Sequence, residues 1–383
     1  ARLSGAGPIR VFFQITVPII FPSLLSGILL VVLAAAASFG VPAMIGNPAR
    51  IYLITTKIYT FQKMGSMNGL YMAGSLSVIL LALAIAVLWL NQKLLKKGHF
   101  KTVGGKSSRP SLIALNSMQK PLLVILFLLF IVLFVLPFLG ILITALSKVQ
   151  GRFSFSNLGF QNFHRVFYEV DETPRALWNS TKLAFWAATI AVFFGMVLSY
   201  IVQKTKIKGR SLVEIMASLP YATPGTVLAL AFILTFSSGV LGFKIPLYNT
   251  LGLIVLAYTA KYLNFALRTT GDGFGQIDDC LAEAARVSGA SWFTTMRTIW
   301  FPLMKPALVA SWFLVFMPCF SELTMTILLT GPGLETLGTL IFQLQEYADA
   351  SGGGSAVLAL LTVIIVALIN TTVKILSKGK YGL

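Results

Sequence analysis

From Pro121 to Ser147 the chain runs for 27 residues without a charged side chain. A helix rises roughly 1.5 Å per residue, so about 20 apolar residues cross the ~30 Å hydrocarbon core of a bilayer. In hydrocarbon every backbone N–H and C=O must be satisfied inside the segment, which a helix achieves. The run is not isolated. Comparable stretches lie near 18–45, 71–91, 181–203, 212–237, 247–267, 306–330 and 356–376, giving eight expected spans. The stretch at 247–267 is the weakest, because Lys261 interrupts it. Composition agrees: 56% of residues are hydrophobic and 11% charged, against about 25% charged in soluble domains. The expected fold is an all-α integral membrane protein with about eight transmembrane helices.

A formal net charge of +18 would suit nucleic acid if the basic residues were clustered on one face. They lie between the apolar stretches instead, which is the signature of membrane topology. Loops on one side of the expected spans carry twenty Lys and Arg against eight on the other. Cytoplasmic loops are the richer ones, so both ends of the chain are expected in the cytoplasm.

The loop around Lys93, Lys96, Lys97, Lys101, Lys106 and Arg109, with Gly104-Gly105 and Ser107-Ser108, lacks apolar periodicity. It reads as a basic cytoplasmic linker, 96–119, between membrane units at 1–95 and 120–383. Gly105-Lys106-Ser107 imitates the end of a phosphate-binding loop, but Phe100 stands where its first glycine belongs. The energy source is therefore expected on another chain. Cys280 and Cys319 are too few and too far apart for a disulfide framework, and neither they nor His99 and His164 form a metal-ligand cluster. No catalytic residue and no metal ligand is indicated, which weighs against a membrane-bound enzyme.

At an offset of 284 residues, Ala1, Arg2, Ser4, Gly5, Ala6, Ile15, Pro18, Pro22 and Leu24 meet identical residues at Ala285, Arg286, Ser288, Gly289, Ala290, Ile299, Pro302, Pro306 and Leu308. Each copy leads into a long apolar stretch, an outer loop and a second stretch. A fixed period implies a repeated structural unit, and duplication is common among transporters.

Glu283-Ala284-Ala285, Gly289 after three residues, Ile299 after nine more and Pro302 at the close resemble the EAA loop of ABC importer permeases. The departures are Phe301, and Val17 in the earlier copy, where the family has Leu; both are apolar. The residues also argue for themselves. Asp278 or Asp279 can cap a helix in whose first turns Glu283 is favoured. Ala284, Ala285 and Gly289 let another surface approach closely, and Gly289 permits a bend before Trp292, Phe293 and Ile299.

The resemblance implies a type I importer permease of the bacterial inner membrane. Two ATP-binding cassette subunits would dock on coupling loops formed by Glu283, Ala284, Ala285, Gly289, Ile299 and Pro302 (within 271–305) and by Ala1, Gly5, Ile15 and Pro18. ATP and Mg would belong to those partners, with no cofactor in this chain and a separate extracytoplasmic protein binding substrate. Since the family carries about six spans per half, about four spans and the start of the earlier loop are expected to precede residue 1.

Ser218 to Val227 holds two helix breakers, Pro220 and Pro224, followed by Gly225. Broken backbone at membrane depth is tolerated where it lines a path or is packed in protein, and both readings are open. The phrase LPYATPGTVLAL resembles permeases for ferric iron, which is the favoured cargo; polyamine, thiamine and phosphonate permeases share the EAA loop. An ion-driven secondary transporter also uses repeats and broken helices but has no use for that loop. Glu322, an acid in an expected span, is a candidate lining residue or pairs locally; Lys261, near Asn264, is expected to snorkel to the cytoplasmic interface.

Overall fold

The computed structural model describes residues 7–97, 118–152, 154–238, 247–348 and 353–376. Among them regular structure is helical, apart from one isolated bridge between Ser147 and Leu158. In chain order the helices are α1 (Val17–Ala36), α2 (Ile54–Lys63), α3 (Met67–Lys97), α4 (Gln119–Leu146), α5 (Gln161–Tyr168), α6 (Glu172–Lys204) and α7 (Arg210–Ala222). They continue with α8 (Gly225–Ser238), α9 (Leu251–Gly275), α10 (Cys280–Val287), α11 (Phe301–Phe320), α12 (Thr326–Leu329), α13 (Leu337–Gln343) and α14 (Gly353–Leu376).

Among the described residues six helices, those built on α1, α3, α4, α6, α11 and α14, are long and apolar enough to cross a membrane. Over the expected span at 212–237 the chain forms two helices, α7 and α8, which together are apolar enough for a span and meet at 104°. Pro224 explains the break: it has no N–H to donate and pushes the preceding residue out of the helical region. Thr223 is accordingly extended, with ψ 132°. The expected 247–267 becomes α9, which has the length of a span but carries Lys261, Arg268 and Asp272. The expected 306–330 ends as a helix at Phe320, and 18–45 ends at Ala36.

Contacts sort the chain into two units, residues 1–38 with 78–140 and residues 39–77 with 141–383. In the first, α1 and α4 present Phe21, Val31, Phe127 and Leu133 outward, a surface suited to hydrocarbon as solvent.

The second unit is built on α6, α9 and α11. Lipid tails are as apolar as leucine, so helices in a membrane associate through close packing and interhelical hydrogen bonds. α6 supplies the small residues: Ala184, Ala187, Ala188 and Ala191 are fully buried. At Gly195 a Cβ would lie 2.7 Å from Ala266 Cβ on α9 and 2.8 Å from the Ala266 carbonyl carbon. Polar groups then stitch the helices together. Thr270 donates to Ser199 Oγ at 2.9 Å and Trp312 Nε1 to Thr189 Oγ1 at 3.1 Å. Asn179 Nδ2 donates to the carbonyls of Gly333 and Glu335 at 3.2 and 3.0 Å, which ties the loop before α13 to α6. Phe39, Tyr59 and Phe342 form an aromatic cluster with centroids 5.1 to 5.9 Å apart.

Helix boundaries repeat at the offset of the sequence identities. The short helix Pro8–Val11, the π-helical turn Phe12–Thr16 and α1 recur 284 residues later as Trp292–Thr295, Met296–Trp300 and α11, boundary for boundary. Pro18 and Pro302 each sit at the start of the long helix. A proline there lacks the donor for an i−4 bond, which suits the widened turn just before it. The order continues with α2 against α13 and α3 against α14, with boundaries shifted by a few residues.

Candidate functional site

After α9 the chain leaves the helical core for the loop 276–305, and each turn has a local cause. Asp279 holds the N-cap position of α10 without capping it. The backbone N–H of Cys280 donates to Asp278 Oδ1 at 3.0 Å instead, and this bond pulls the Asp278 carboxyl below the usual carboxylate range. The Asp279 carboxylate is taken by Lys204 at the end of α6, whose Nζ lies 2.5 Å from Asp279 Oδ1 and 2.9 Å from the Ile277 carbonyl. Of the two acids expected to cap α10, one receives a backbone bond and the other pins the loop to α6.

α10 carries Glu283 in its first turn, with Glu283 and Ala284 exposed and Ala285 half-buried. It ends at Gly289, whose φ is +80°. The Gly289 N–H donates to the Arg286 carbonyl at 3.0 Å and that of Ala290 to the Ala285 carbonyl at 2.9 Å, the bond pair of a Schellman turn, which places a left-handed residue here. Ser291 then caps the next short helix by accepting from Thr294 N at 3.2 Å.

An aromatic anchor fixes this second arm. Trp292 Nε1 donates to the Tyr200 hydroxyl at 2.8 Å, and the Tyr200 ring packs against Phe274 and Trp300. The Lys204 ammonium stands 4.9 Å from the Trp300 centroid, an attractive cation–π distance. Pro302 is exposed at the start of α11 and Ile299 is half-buried beside it. The anchored loop shows solvent an apolar surface: Val287 is 91% exposed and Phe293 69%. Ile15 and Pro18 of the earlier copy are exposed; Ala1 and Gly5 lie outside the described residues. Tyr200 and Lys204 were invisible to sequence reasoning, since they sit on another helix and outside any motif.

The break between α7 and α8 is the second place where unusual residues gather. Pro220 lies inside α7, and Pro224 and Gly225 are buried. Ser218 Oγ donates to Asn264 Oδ1 of α9 at 2.9 Å. Lys261 does not reach for an interface as expected: its Nζ lies 2.7 Å from where a Cβ on Gly225 would stand. Lys261 is in the middle of α9.

Glu322, for which a lining role and local pairing were both open, makes its bonds locally. It is buried, and its carboxylate accepts from Met325 N at 3.0 Å, from Thr326 N at 3.1 Å and from Thr326 Oγ1 at 2.8 Å. These bonds start α12 and compensate the burial of the charge. Thr326 Oγ1 also shares a 2.5 Å bond with the Tyr258 hydroxyl. A polar cavity of about 340 Å³ lies where α6, α7 and α9 meet, lined by Ser199, Gln203, Glu214, Arg268 and Asp272.

Residues 191–379 match the family described as binding-protein-dependent transport system inner membrane component. A Haemophilus influenzae protein named for ferric transport, the permease FbpB 1, is 30% identical over 308 residues, covering 79% of this chain and 47% of its own length. The spermidine/putrescine transport system permease protein PotC of the same organism is 27% identical over 227 residues, 59% of this chain and 84% of its own. In the solved structure of a bacterial alginate ABC transporter with its alginate pentasaccharide-bound periplasmic protein, one chain aligns at TM-score 0.56 and 16% identity, over 68% of this chain and 94% of that one. At that identity the likeness speaks for the fold. The chain spans about half the length of the ferric transport permeases it matches. The matched segment runs from the middle of α6 through α14, and over residues 191–379 the chain is similar to the family of binding-protein-dependent transport system inner membrane components, with a helical fold shared with a solved ABC transporter.

Proposed function

We propose that the chain is the transmembrane subunit of an ATP-driven importer, with 1–95 and 120–383 belonging to two permease halves and both ends in the cytoplasm. The observation that carries this reading is the loop 276–305. It is pinned to α6 through Lys204 and Tyr200 and exposes Glu283, Ala284, Gly289 and Phe293. A rigid arm with small residues and an apolar tip is built to receive another protein and pass its movement to the helix that holds it. In this reading the visitor is an ATP-binding cassette subunit, one for each copy of the loop. It holds ATP and Mg, so hydrolysis happens outside this chain. An extracytoplasmic binding protein delivers the cargo.

Ferric iron is the favoured cargo, supported by the ferric permeases among the relatives. A polyamine is the second reading, supported by the match to PotC. The test is uptake of labelled ferric iron by cells carrying the full-length gene, a deletion, or Gly289→Glu. Loss in both altered strains supports permease and cargo together. Unchanged iron uptake alongside lost spermidine uptake moves the cargo to polyamines.

A further inference from the structure

The N-terminus of α8 is buried, has no side-chain cap, and faces a cation. Gly225, Thr226 and Val227 form its first turn, all buried, and the first N–H groups of a helix have no acceptor within it. The residue before them is Pro224, whose side chain can accept nothing. A helix start also carries a partial positive charge. Against it stands Lys261, its Nζ 2.7 Å from the position of a Gly225 Cβ. Among the described residues this ammonium has no hydrogen bond and no ion pair. Glu322 acts on it from farther off, and the Glu322 oxygens are already engaged with Met325 and Thr326. Thr226 is fully buried and its hydroxyl has no partner. It is the residue next to Gly225 in this first turn.

Unpartnered donors of three kinds thus lie in and beside the first turn of α8, where a bound anion would be stabilised. We infer that the break between α7 and α8 is an anion subsite on the transport path. It takes a small oxyanion, a phosphate or carboxylate group carried by the transported ligand, held by the first N–H groups of α8, Thr226 Oγ1 and Lys261. A Cβ at 225 would lie 2.7 Å from Lys261 Nζ and 3.1 Å from Thr324 Cγ2, so glycine leaves that place to the ammonium. The inference rests on the permease reading. It refines the cargo: a bare ferric cation is repelled here, whereas iron held in an anionic chelate is not.

The test is equilibrium dialysis of radiolabelled inorganic phosphate against the full-length protein purified with its ATPase subunits. Wild type is expected to bind saturably, Lys261→Met at least ~10-fold more weakly, and Lys261→Arg close to wild type, since a charge-assisted bond to an oxyanion is among the stronger hydrogen bonds. Gly225→Ala is expected to weaken binding as well. Equal affinity in wild type and Lys261→Met, or no saturable binding in wild type, overturns the site. Repeating the dialysis in phosphatidylglycerol and phosphatidylcholine nanodiscs separates cargo from lipid: loss of phosphate binding only in phosphatidylglycerol makes the occupant a headgroup and overturns the assignment. ATP hydrolysis by the same complex is read in parallel. Intact hydrolysis without phosphate binding removes the subsite and leaves the permease reading standing. If the ATPase subunits do not co-purify, it is the permease reading that fails, and phosphate binding by the chain alone still decides the site.

Discussion

Lys204 Nζ reaches Asp279 Oδ1 at 2.5 Å, joining the last turn of α6 to the first turn of the loop that follows α9. Lys204 is nearly buried and Asp279 largely exposed, with side-chain exposures of 10% and 70%. An exposed ion pair contributes little, with a median near 0–1 kcal/mol. Here the same ammonium also holds the Ile277 carbonyl and faces the Trp300 ring. Lys204→Met is therefore expected to loosen the loop and leave the helical core intact. Hydrogen exchange across 276–291 should speed up by roughly tenfold, about 1.4 kcal/mol of local stability, with α6 and α9 unchanged. Asp279→Asn alone should do less, and the two changes should not add.

Gly289 separates two causes of failure. Its φ of +80° is costly for residues with a Cβ, yet no atom stands within 4 Å of where that Cβ would be. A left-handed conformation costs most L-residues about 1–2 kcal/mol, and Asn less. Gly289→Asn is expected to retain ATPase-subunit binding in pull-downs, whereas Gly289→Glu loses it through strain and a charged side chain at the proposed docking surface. Loss in both variants would place the requirement in the backbone alone.

Gly195 is required by packing rather than by conformation. Its added Cβ would meet the Ala266 backbone, at 2.8 Å from the carbonyl carbon, and backbone cannot step aside as a flexible side chain can. Overpacking of this kind costs about 1–3 kcal/mol. Gly195→Ala is expected to lower the thermal unfolding midpoint in detergent, while Gly74→Ala, where nothing lies within 4 Å, leaves it in place.

Glu322 holds up α12. Glu322→Ala strands the backbone N–H groups of Met325 and Thr326 in a buried site, at about 1–3 kcal/mol for each unsatisfied donor. Glu322→Gln keeps one acceptor oxygen and should lose less. The two unfolding midpoints should order as wild type, Gln, Ala. Equal midpoints would return Glu322 to the list of free acids.

Cys280 is exposed, and its thiol donates to the Asp278 carboxylate, which raises the thiol pKa above its ordinary value. At any pH below that raised pKa the reactive thiolate fraction is smaller than for a free cysteine. Alkylation should be slow at neutral pH and rise only at higher pH. Asp278→Asn should shift the rate profile toward lower pH.

The spans were legible because hydrocarbon imposes a length and forbids charge, and the repeat was legible because its identities include glycine and prolines that the backbone needs. The same reading lost accuracy where helices meet. It named Pro220 and Pro224 as breakers inside 212–237, but nothing in the sequence gives the 104° at which α7 and α8 meet. It sent Lys261 to an interface because nothing local says that Gly225 leaves room for an ammonium. It could not find Tyr200 and Lys204, whose partners lie in a loop 92 and 75 residues away along the chain.

The central claim is that the loop 276–305 receives an ATPase subunit. The most direct measurement places a photo-crosslinking amino acid at Ala284, an exposed position, in the full-length protein expressed with its transport partners, and identifies the adduct by mass spectrometry. A covalent adduct with the ATP-binding subunit is the predicted result. Adducts confined to lipid, from a protein that still transports its cargo, would contradict it.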